Sequence, residues 1–429
     1  MTALRVGIAG LGTVGIGVVR LLAENAALIA GRAGKPITVT AISARRRGLE
    51  RGVRLAGLPW HEDALALAAD PDVDVVVELI GGSEGVARAL VERGIAAGKP
   101  VVTANKALLA LHGGALALAA EKAGVTLGFE AAVAGGIPAI KALREGLAGN
   151  RVRRVAGILN GTSNYILTTM RNEGREFAEV LADAQALGYA ETDPSFDIDG
   201  IDAAHKLAIL AALAFGQPVD FAAVHVEGIR GINALDISFA EELGYRIKLL
   251  GIAQETASAL EMRVHPAMVP KSALLATVDG VFNAVLAEGD FVGTLFLQGR
   301  GAGAGPTASA VVADLIDIAR GTRIPVWGVT SRHLAPRHLL PIAAHRGAYF
   351  LRLMVVDQPG VLADVTAILR DHGISLESML QHGRKPGEAV PIVLVTHETS
   401  EAAIRNAIAG IAELEAVLEA PALIRIESR

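Results

Sequence analysis

The sequence predicts an α/β chain with a parallel-sheet domain first, an α+β domain second and a compact β-α-β-β-α-β unit last. Three observations carry this. From Leu4 to about Glu130, short β-rich runs alternate with Ala/Leu-rich helical patterns, and such alternation builds a parallel sheet. From Ala131 to about Ala304 the grain changes to longer helices, arginine-rich connectors and later strands. From Tyr349 a strand–helix–strand–strand–helix–strand order closes the 429 residues.

The elements follow in order. Strands are expected at residues 5–9, 37–43, 73–79, 100–103 and 125–129, with helices at 15–29, 84–97 and 106–123. In the second region strands are expected near 261–264 and 280–286. A glycine-rich loop at 299–305 opens a helix that is expected to pack back on the first domain. Residues 324–346, with three prolines and three histidines, read as a linker. The expected division is 1–130, 131–304, 305–346 and 349–429.

Composition excludes several function classes. Net charge is −5 with both signs spread along the chain, so no basic stripe points to nucleic acid. There is no cysteine. That removes disulfides, thiolate metal sites and the cysteine nucleophile of thiohemiacetal-forming aldehyde dehydrogenases. The first residues enter a strand pattern without the form of a signal peptide. Apolar runs such as 207–216 are too short to span a bilayer. A soluble cytoplasmic protein with no membrane partner is expected.

Gly10, Gly12 and Gly15 stand in G-x-G-x-x-G spacing between a strand and a helix, with Leu11, Thr13 and Val14 filling out the loop. The first glycine allows a tight turn, the second a close approach of backbone to a pyrophosphate, and the third close helix–strand packing. The following helix N-terminus favours phosphate. The second strand ends in Arg45-Arg46-Arg47 with no acid. An acid there would bind the ribose 2′-hydroxyl of NAD, whereas arginine accommodates the 2′-phosphate of NADP. NADP, or both cofactors, is therefore expected; a solvated basic turn is the plainer alternative.

Residues 188–206 pack Glu191, Asp193, Asp197, Asp199, Asp202 and Lys206 against the start of an apolar helix. Charges are costly to bury unless paired or used. The cluster suits a substrate with an ammonium group and a hydroxyl that must lose its proton. Asp202 and Lys206 are four apart, so they share a helix face. A surface ion pair would look the same, but the apolar run after Lys206 argues for burial.

Several strings then name a family. G-L-G-T-V-G, E-L-I-G-G at 78–82, V-V-T-A-N-K-A-L-L at 101–109, F-E-A-A-V-A-G-G-I-P at 129–138, G-I-L-N-G-T-S-N-Y-I-L at 157–167 and the acidic stretch resemble homoserine dehydrogenase, in order and spacing. With no kinase region ahead of the first strand, the chain resembles the monofunctional form. The resemblance implies reversible NAD(P)-dependent interconversion of L-homoserine and L-aspartate 4-semialdehyde, in threonine, methionine and isoleucine biosynthesis. It also implies a Rossmann-type domain, a catalytic and dimerisation domain, and a homodimer or homotetramer.

It implies site residues as well. Lys206 matches the proton-transfer lysine, with Asp202 beside it; Lys106 matches a second lysine, and either lysine is open as the direct carrier. Glu191 matches the residue that holds the substrate, and Asp197, Tyr189 and Thr162 fall in the same pocket. Thr103, Lys106 and Gly305 match positions near the cofactor. Glu130 with the backbone of Val133, Gly135 and Ile137 matches a monovalent-cation site, Na+. The tail from Tyr349 resembles an ACT domain, a ferredoxin-like module. Its first helix entrance, at Asp357, Pro359 and Gly360, implies an L-threonine effector site; a dimerisation module without ligand is the alternative.

Overall fold

The structure is a computed structural model and describes residues 2–257, 259–383 and 386–427. The first sheet holds β1 (Leu4–Ala9), β2 (Ile37–Ser43), β3 (Val75–Glu78), β4 (Val101–Thr103) and β5 (Leu127–Gly128). All pair parallel, in the order β2-β1-β3-β4-β5. Consecutive valines in β3 and β4 are buried, as expected of strands covered on both faces. The helices are α1 (Thr13–Glu24), α2 (Ala26–Ala33), α3 (Ala66–Ala69), α4 (Val86–Ala96) and α5 (Lys106–Ala123). Strand order reverses between β1 and β3, so a crevice opens at their carboxyl ends, the usual place for a ligand in such sheets.

The single helix expected at 15–29 is two, set 83° apart. Asn25, with φ −105° and ψ 20°, ends the first. Asparagine competes for backbone hydrogen bonds and so interrupts helices readily.

The second region contributes β6 (Val152–Ile158), β7 (His225–Val226), β8 (Tyr245–Glu255), β9 (Leu260–Pro270), β10 (Phe282–Gly289) and β11 (Gly293–Arg300). Its helices are α6 (Ala139–Lys141), α7 (Gly161–Glu173), α8 (Phe177–Ala186), α9 (Ser195–Ile198), α10 (Ile201–Phe215) and α11 (Ala234–Glu242). Strands run in the order β11-β10-β6-β8-β9. α12 (Ala304–Arg320) then returns to the first domain. Its Ala308, Val311 and Leu315 share a core with Val18, Val19 and Leu22 of α1. The approach is close enough that a Cβ on Gly17 would lie 2.5 Å from the Ala304 carbonyl oxygen. The linker expected at 324–346 is partly core: Trp327 is buried and its ring lies 5.3 Å from that of Phe129.

The tail comprises β12 (Arg346–Val356), α13 (Val361–Asp371), β13 (Leu376–Leu380), β14 (Ala389–Thr396), β15 (Thr399–Ser400), α14 (Glu401–Ala412) and β16 (Ala422–Ile426). It is not a separate sheet. β16 lies parallel beside β9, with Arg425 opposite Ala267 and Ile426 opposite Met268, so one sheet runs from β11 to β13.

The seam is charged and buried. Arg425 bonds Glu227 and Glu401, and Arg263 bonds Glu261 and Glu427. Burial alone would raise Glu427; Arg263 and its cationic neighbours instead hold it down at about 2. Among the described residues, no single helix is long and apolar enough to cross a membrane.

Candidate active site

The three fingerprint glycines meet three different demands. Gly10 has φ +98°, and a Cβ there would lie 2.4 Å from the Leu79 carbonyl oxygen. A Cβ on Gly15 would lie 2.0 Å from the Gly10 carbonyl oxygen. At Gly12 a Cβ would meet nothing within 4 Å. The loop is thus closed on the protein side and open where a pyrophosphate would approach, so these residues fit a dinucleotide.

A cavity of ≈ 590 Å³ there is lined by Gly10, Leu11, Gly12, Arg45, Arg46 and Arg51, among others. Arg51 was not anticipated. It donates to the carbonyls of Leu11 (3.3 Å), Leu49 (2.8 Å) and Arg46, tying the basic loop to the glycine loop. No sequence signal separates it from the other arginines of that run.

The cavity that joins nucleotide loop to acidic cluster has ≈ 600 Å³ and reaches from Thr13 and Val14 to Asp202 and Lys206. Three chain segments build its polar floor. β4 ends at Thr103, and Lys106 opens α5, capped by the side chain of Asn105. Asn160 caps α7, its Oδ1 accepting from the Ser163 amide at 2.8 Å. Asp202 and Lys206 lie on the first two turns of α10, both buried.

The Asp202 carboxylate is shared. Lys206 Nζ is 2.7 Å from Oδ2, and Lys106 Nζ is 2.8 Å from Oδ1. Asn160 Nδ2 donates to Asp202 Oδ2 at 2.8 Å and to Asp197 Oδ1 at 2.7 Å. Lys206 Nζ also donates to the Leu159 carbonyl at 2.7 Å. The bridging role of the Asn160 side chain was not anticipated.

The electrostatics split the two lysines. Burial pushes Lys206 below its ordinary pKa, against the pull of Asp202, with Lys106 adding to the depression. Burial also acts on Lys106, but Asp202, with Asp197 and Glu191 further off, holds it above its ordinary value. Asp202 itself would be raised by burial; the two ammonium groups hold it well below the usual carboxylate range. Burial and the nearby Asp202 charge push Asp197 up. Environments that part like groups in this way mark acid–base sites.

The chain can now be set beside known proteins. The family model for homoserine dehydrogenase matches residues 138–316, that for the homoserine dehydrogenase NAD-binding domain matches 10–130, and that for the ACT domain matches 349–413. The homoserine dehydrogenase of Pseudomonas aeruginosa is 49% identical over 100% of this chain and 99% of its own length. The chain belongs to the homoserine dehydrogenase family. A solved homoserine dehydrogenase from Thiobacillus denitrificans, 50% identical, superposes with a TM-score of 0.94 over 100% of this chain and 99% of that one. A hyperthermophilic archaeal homoserine dehydrogenase in complex with NADPH, 25% identical, covers 75% of this chain and 99% of its own, at a TM-score of 0.64. Like its family, the chain is an oxidoreductase with an NAD-binding domain and an ACT domain.

The remaining expected site residues fall at different depths. Tyr189, Asp197 and Thr162 line the lysine cavity, and Thr162 Oγ1 donates to the Tyr189 carbonyl at 2.9 Å. Tyr189 packs edge-on against Tyr165. Glu191 is exposed, its backbone carbonyl held by Gln185 at 3.0 Å, and acts on Lys106 through charge. Gly305 is exposed on the first turn of α12, between Gly303 and Thr307 of the cavity wall. Thr103, expected near the cofactor, closes β4. It is buried, and its hydroxyl donates to Glu78 at 2.6 Å. Glu78 in turn accepts from the Ile80 and Gly81 amides, so Thr103 braces the loop after β3.

Glu130 is buried, with its oxygens accepting from the amides of Ile140 (3.0 Å) and Lys141 (2.9 Å). Its own amide donates to Asp314 at 2.9 Å. Burial, reinforced by the Asp314 charge, pushes Glu130 up to about 7. Two buried carboxylates face one lysine here, Lys141. The chain at 133–137 turns through positive φ at Ala134 and Gly135. This excess of buried negative charge fits a hard cation. Among the described residues no group of three His, Cys, Asp or Glu would hold a metal, so backbone carbonyls would complete such a site.

Proposed function

We propose that the chain interconverts L-homoserine and L-aspartate 4-semialdehyde with NADP or NAD, within threonine, methionine and isoleucine biosynthesis. The observation that carries this is the Asp202 carboxylate held between Lys106 of the nucleotide domain and Lys206 of α10, in a cavity that also reaches the glycine loop. Glu191 and Asp197 offer negative charge for the substrate ammonium group. Lys206, depressed by burial, is the base that takes the proton of the substrate hydroxyl at Nζ. Asp202 stabilises the ammonium that forms, and Lys106, held charged, orients the oxygen. The chemistry that a bound nicotinamide would supply is that of hydride acceptor for C4 of the substrate. The test is NADP+ reduction with L-homoserine; no turnover, with oxidation of a different amino-acid alcohol, replaces the substrate.

NADP(H) is expected to serve at least as well as NAD(H), since Arg45 and Arg46 line the cavity beside Gly12. Comparison of kcat/KM for the two cofactors checks this. A strong NAD preference, unchanged by Arg45→Ala and Arg46→Ala, is the opposing result.

Glu130, with the backbone of Val133, Gly135 and Ile137, is proposed to hold Na+. The folded pKa of Glu130 is raised from an ordinary 4.5 to about 7. Its proton therefore favours the folded state at low pH, and that contribution is lost as pH rises from 4.5 through about 7. In sodium-free buffer Tm is expected to fall over this window, and Na+ is expected to restore it. A Tm indifferent to Na+ at pH 8, or a Glu130→Gln variant that keeps the full response, removes the site.

The tail is proposed to bind L-threonine near Asp357, Pro359 and Gly360, and the assembly to be a homodimer or homotetramer; both rest on the resemblance. Titrating threonine against turnover and measuring sedimentation test them, and an unaffected rate or a monomer refutes each in turn.

A further inference from the structure

Phe196, on α9, has no role in the scheme so far. Its side chain is 40% exposed. A single exposed phenylalanine is ordinary, but this one meets a charge. The Lys106 ammonium stands over its ring, 5.4 Å from the centroid, within the range at which an aromatic face attracts a cation. The same ammonium bonds Asp202 Oδ1 at 2.8 Å. Lys106 is therefore held twice, by a carboxylate on α10 and by a ring on α9.

The ring has support. The His205 imidazole packs tilted against it, with centroids 5.5 Å apart, and packs in turn against Phe221 at 4.4 Å. His205 is 5% exposed, and its Nδ1 has no hydrogen-bond partner among the described residues. A buried polar atom left in that state calls for an explanation: the imidazole serves here as a packed ring. Burial lowers its pKa against the pull of Asp202, and Lys106 and Lys206 add to the effect, so it is uncharged at neutral pH. The backbone that carries Phe196 is fixed as well. The Ile198 carbonyl accepts from the Ile229 amide at 2.8 Å, and the Asp197 carbonyl accepts from Ser163 Oγ at 3.0 Å. A Cβ on Gly228 would lie 2.3 Å from the Ile198 carbonyl oxygen, so glycine at 228 is what admits α9 so close.

A lysine stem is flexible, and its ammonium carries three donors that rotate freely. Asp202 takes one of them. A ring face draws the charge without accepting a second strong hydrogen bond, which leaves the other donors for an oxygen in the cavity. Resting on the reading that Lys106 orients the substrate oxygen, we propose that Phe196 is a positioning residue of the reaction. Its ring, packed on His205, holds the Lys106 ammonium by a cation–π contact across the boundary between the nucleotide domain and the domain of α9 and α10.

The test keeps the shape of the ring and changes its charge. Mono-, di- and trifluorophenylalanine replace Phe196 in the full chain, beside Phe196→Leu and Phe196→Tyr, and kcat/KM for L-homoserine is measured. Fluorine draws electron density off the ring face and adds little bulk. Activity is expected to fall stepwise with each fluorine, ending roughly three- to ten-fold below wild type, the scale of one cation–π contact. Phe196→Leu is expected to lose as much, and Phe196→Tyr to stay within about two-fold of wild type, since tyrosine keeps the face. In a Lys106→Ala background, Phe196→Leu is expected to cost less than about two-fold more, because both changes remove the same contact. A flat fluorine series, an inactive Phe196→Tyr, or an equal loss from Phe196→Leu with and without Lys106 overturns the proposal. Should Phe196→Leu fail to fold, the fluorine series decides alone. Wild-type turnover of homoserine is the separate check on the substrate; where another amino-acid alcohol replaces it, the series is read with that alcohol.

Discussion

Lys206→Ala is expected to lower kcat by about two orders of magnitude or more, the scale of a positioned acid–base group, and to leave NADPH affinity nearly unchanged. The variant removes the amine 2.7 Å from Asp202 and leaves that carboxylate buried beside Lys106. Lys106→Ala is expected to lose as much rate, with some loss of cofactor affinity, because it opens α5 just past the carboxyl end of β4, the side on which such sheets bind ligands. The pH profile separates their roles. In Asp202→Asn both lysines lose the charge that raises them, so the limb of kcat/KM that reports the lysine should move to lower pH. Near-normal turnover of Lys206→Ala, or a limb that stays in place, removes Lys206 as the base.

Arg425→Met is expected to be the most destabilising single change outside the cores, at about 3–5 kcal/mol, because it strands buried carboxylates. Arg425 is 2% exposed and bonds Glu227 at 2.7 and 3.0 Å and Glu401 at 2.9 Å. Arg405 also reaches both acids from the surface, which places the expected value toward the lower end. Urea unfolding measures it, and a loss below about 1 kcal/mol would show that the seam is carried by strand pairing alone. Acid should attack the same region. Glu427 is depressed from 4.5 to about 2, so its contribution is present above 4.5 and is lost as pH falls toward 2.

Much of the first domain was legible because its signals are local: buried valine runs, a glycine spacing, Ala/Leu periodicity. The middle sheet was not. From Leu260 to His265 β9 alternates apolar and polar residues like a half-buried strand, yet its polar face is buried too, with Glu261, Arg263 and His265 inside as Lys248 is on β8. Strands were expected only at 261–264, within β9, and at 280–286, over β10; β6, β8 and β11 were not anticipated. The tail was read as self-contained because nothing in 422–426 tells which neighbour its free edge will find; the pairing with β9 is set by shape across more than 150 residues of sequence. In the site, Asp202 and Lys206 were visible through their spacing on one helix. Asn160 was not, since its side chain acts on Asp197 and Asp202, remote in sequence, and Arg51 was not, since its tie to the Leu11 carbonyl leaves no mark on the sequence.

The chain's return path also orders its own assembly. The core of the nucleotide-binding lobe takes Val311 and Leu315 from α12, and the central sheet takes its strand beside β9 from residues 422–426. On a ribosome, the lobe made first waits for α12, and β9, beyond its short pairing with β7, keeps a bare edge at Ala267 and Met268 until residues 422–426 emerge. Neither part closes on its own stretch of chain; each is completed by a segment made well after it.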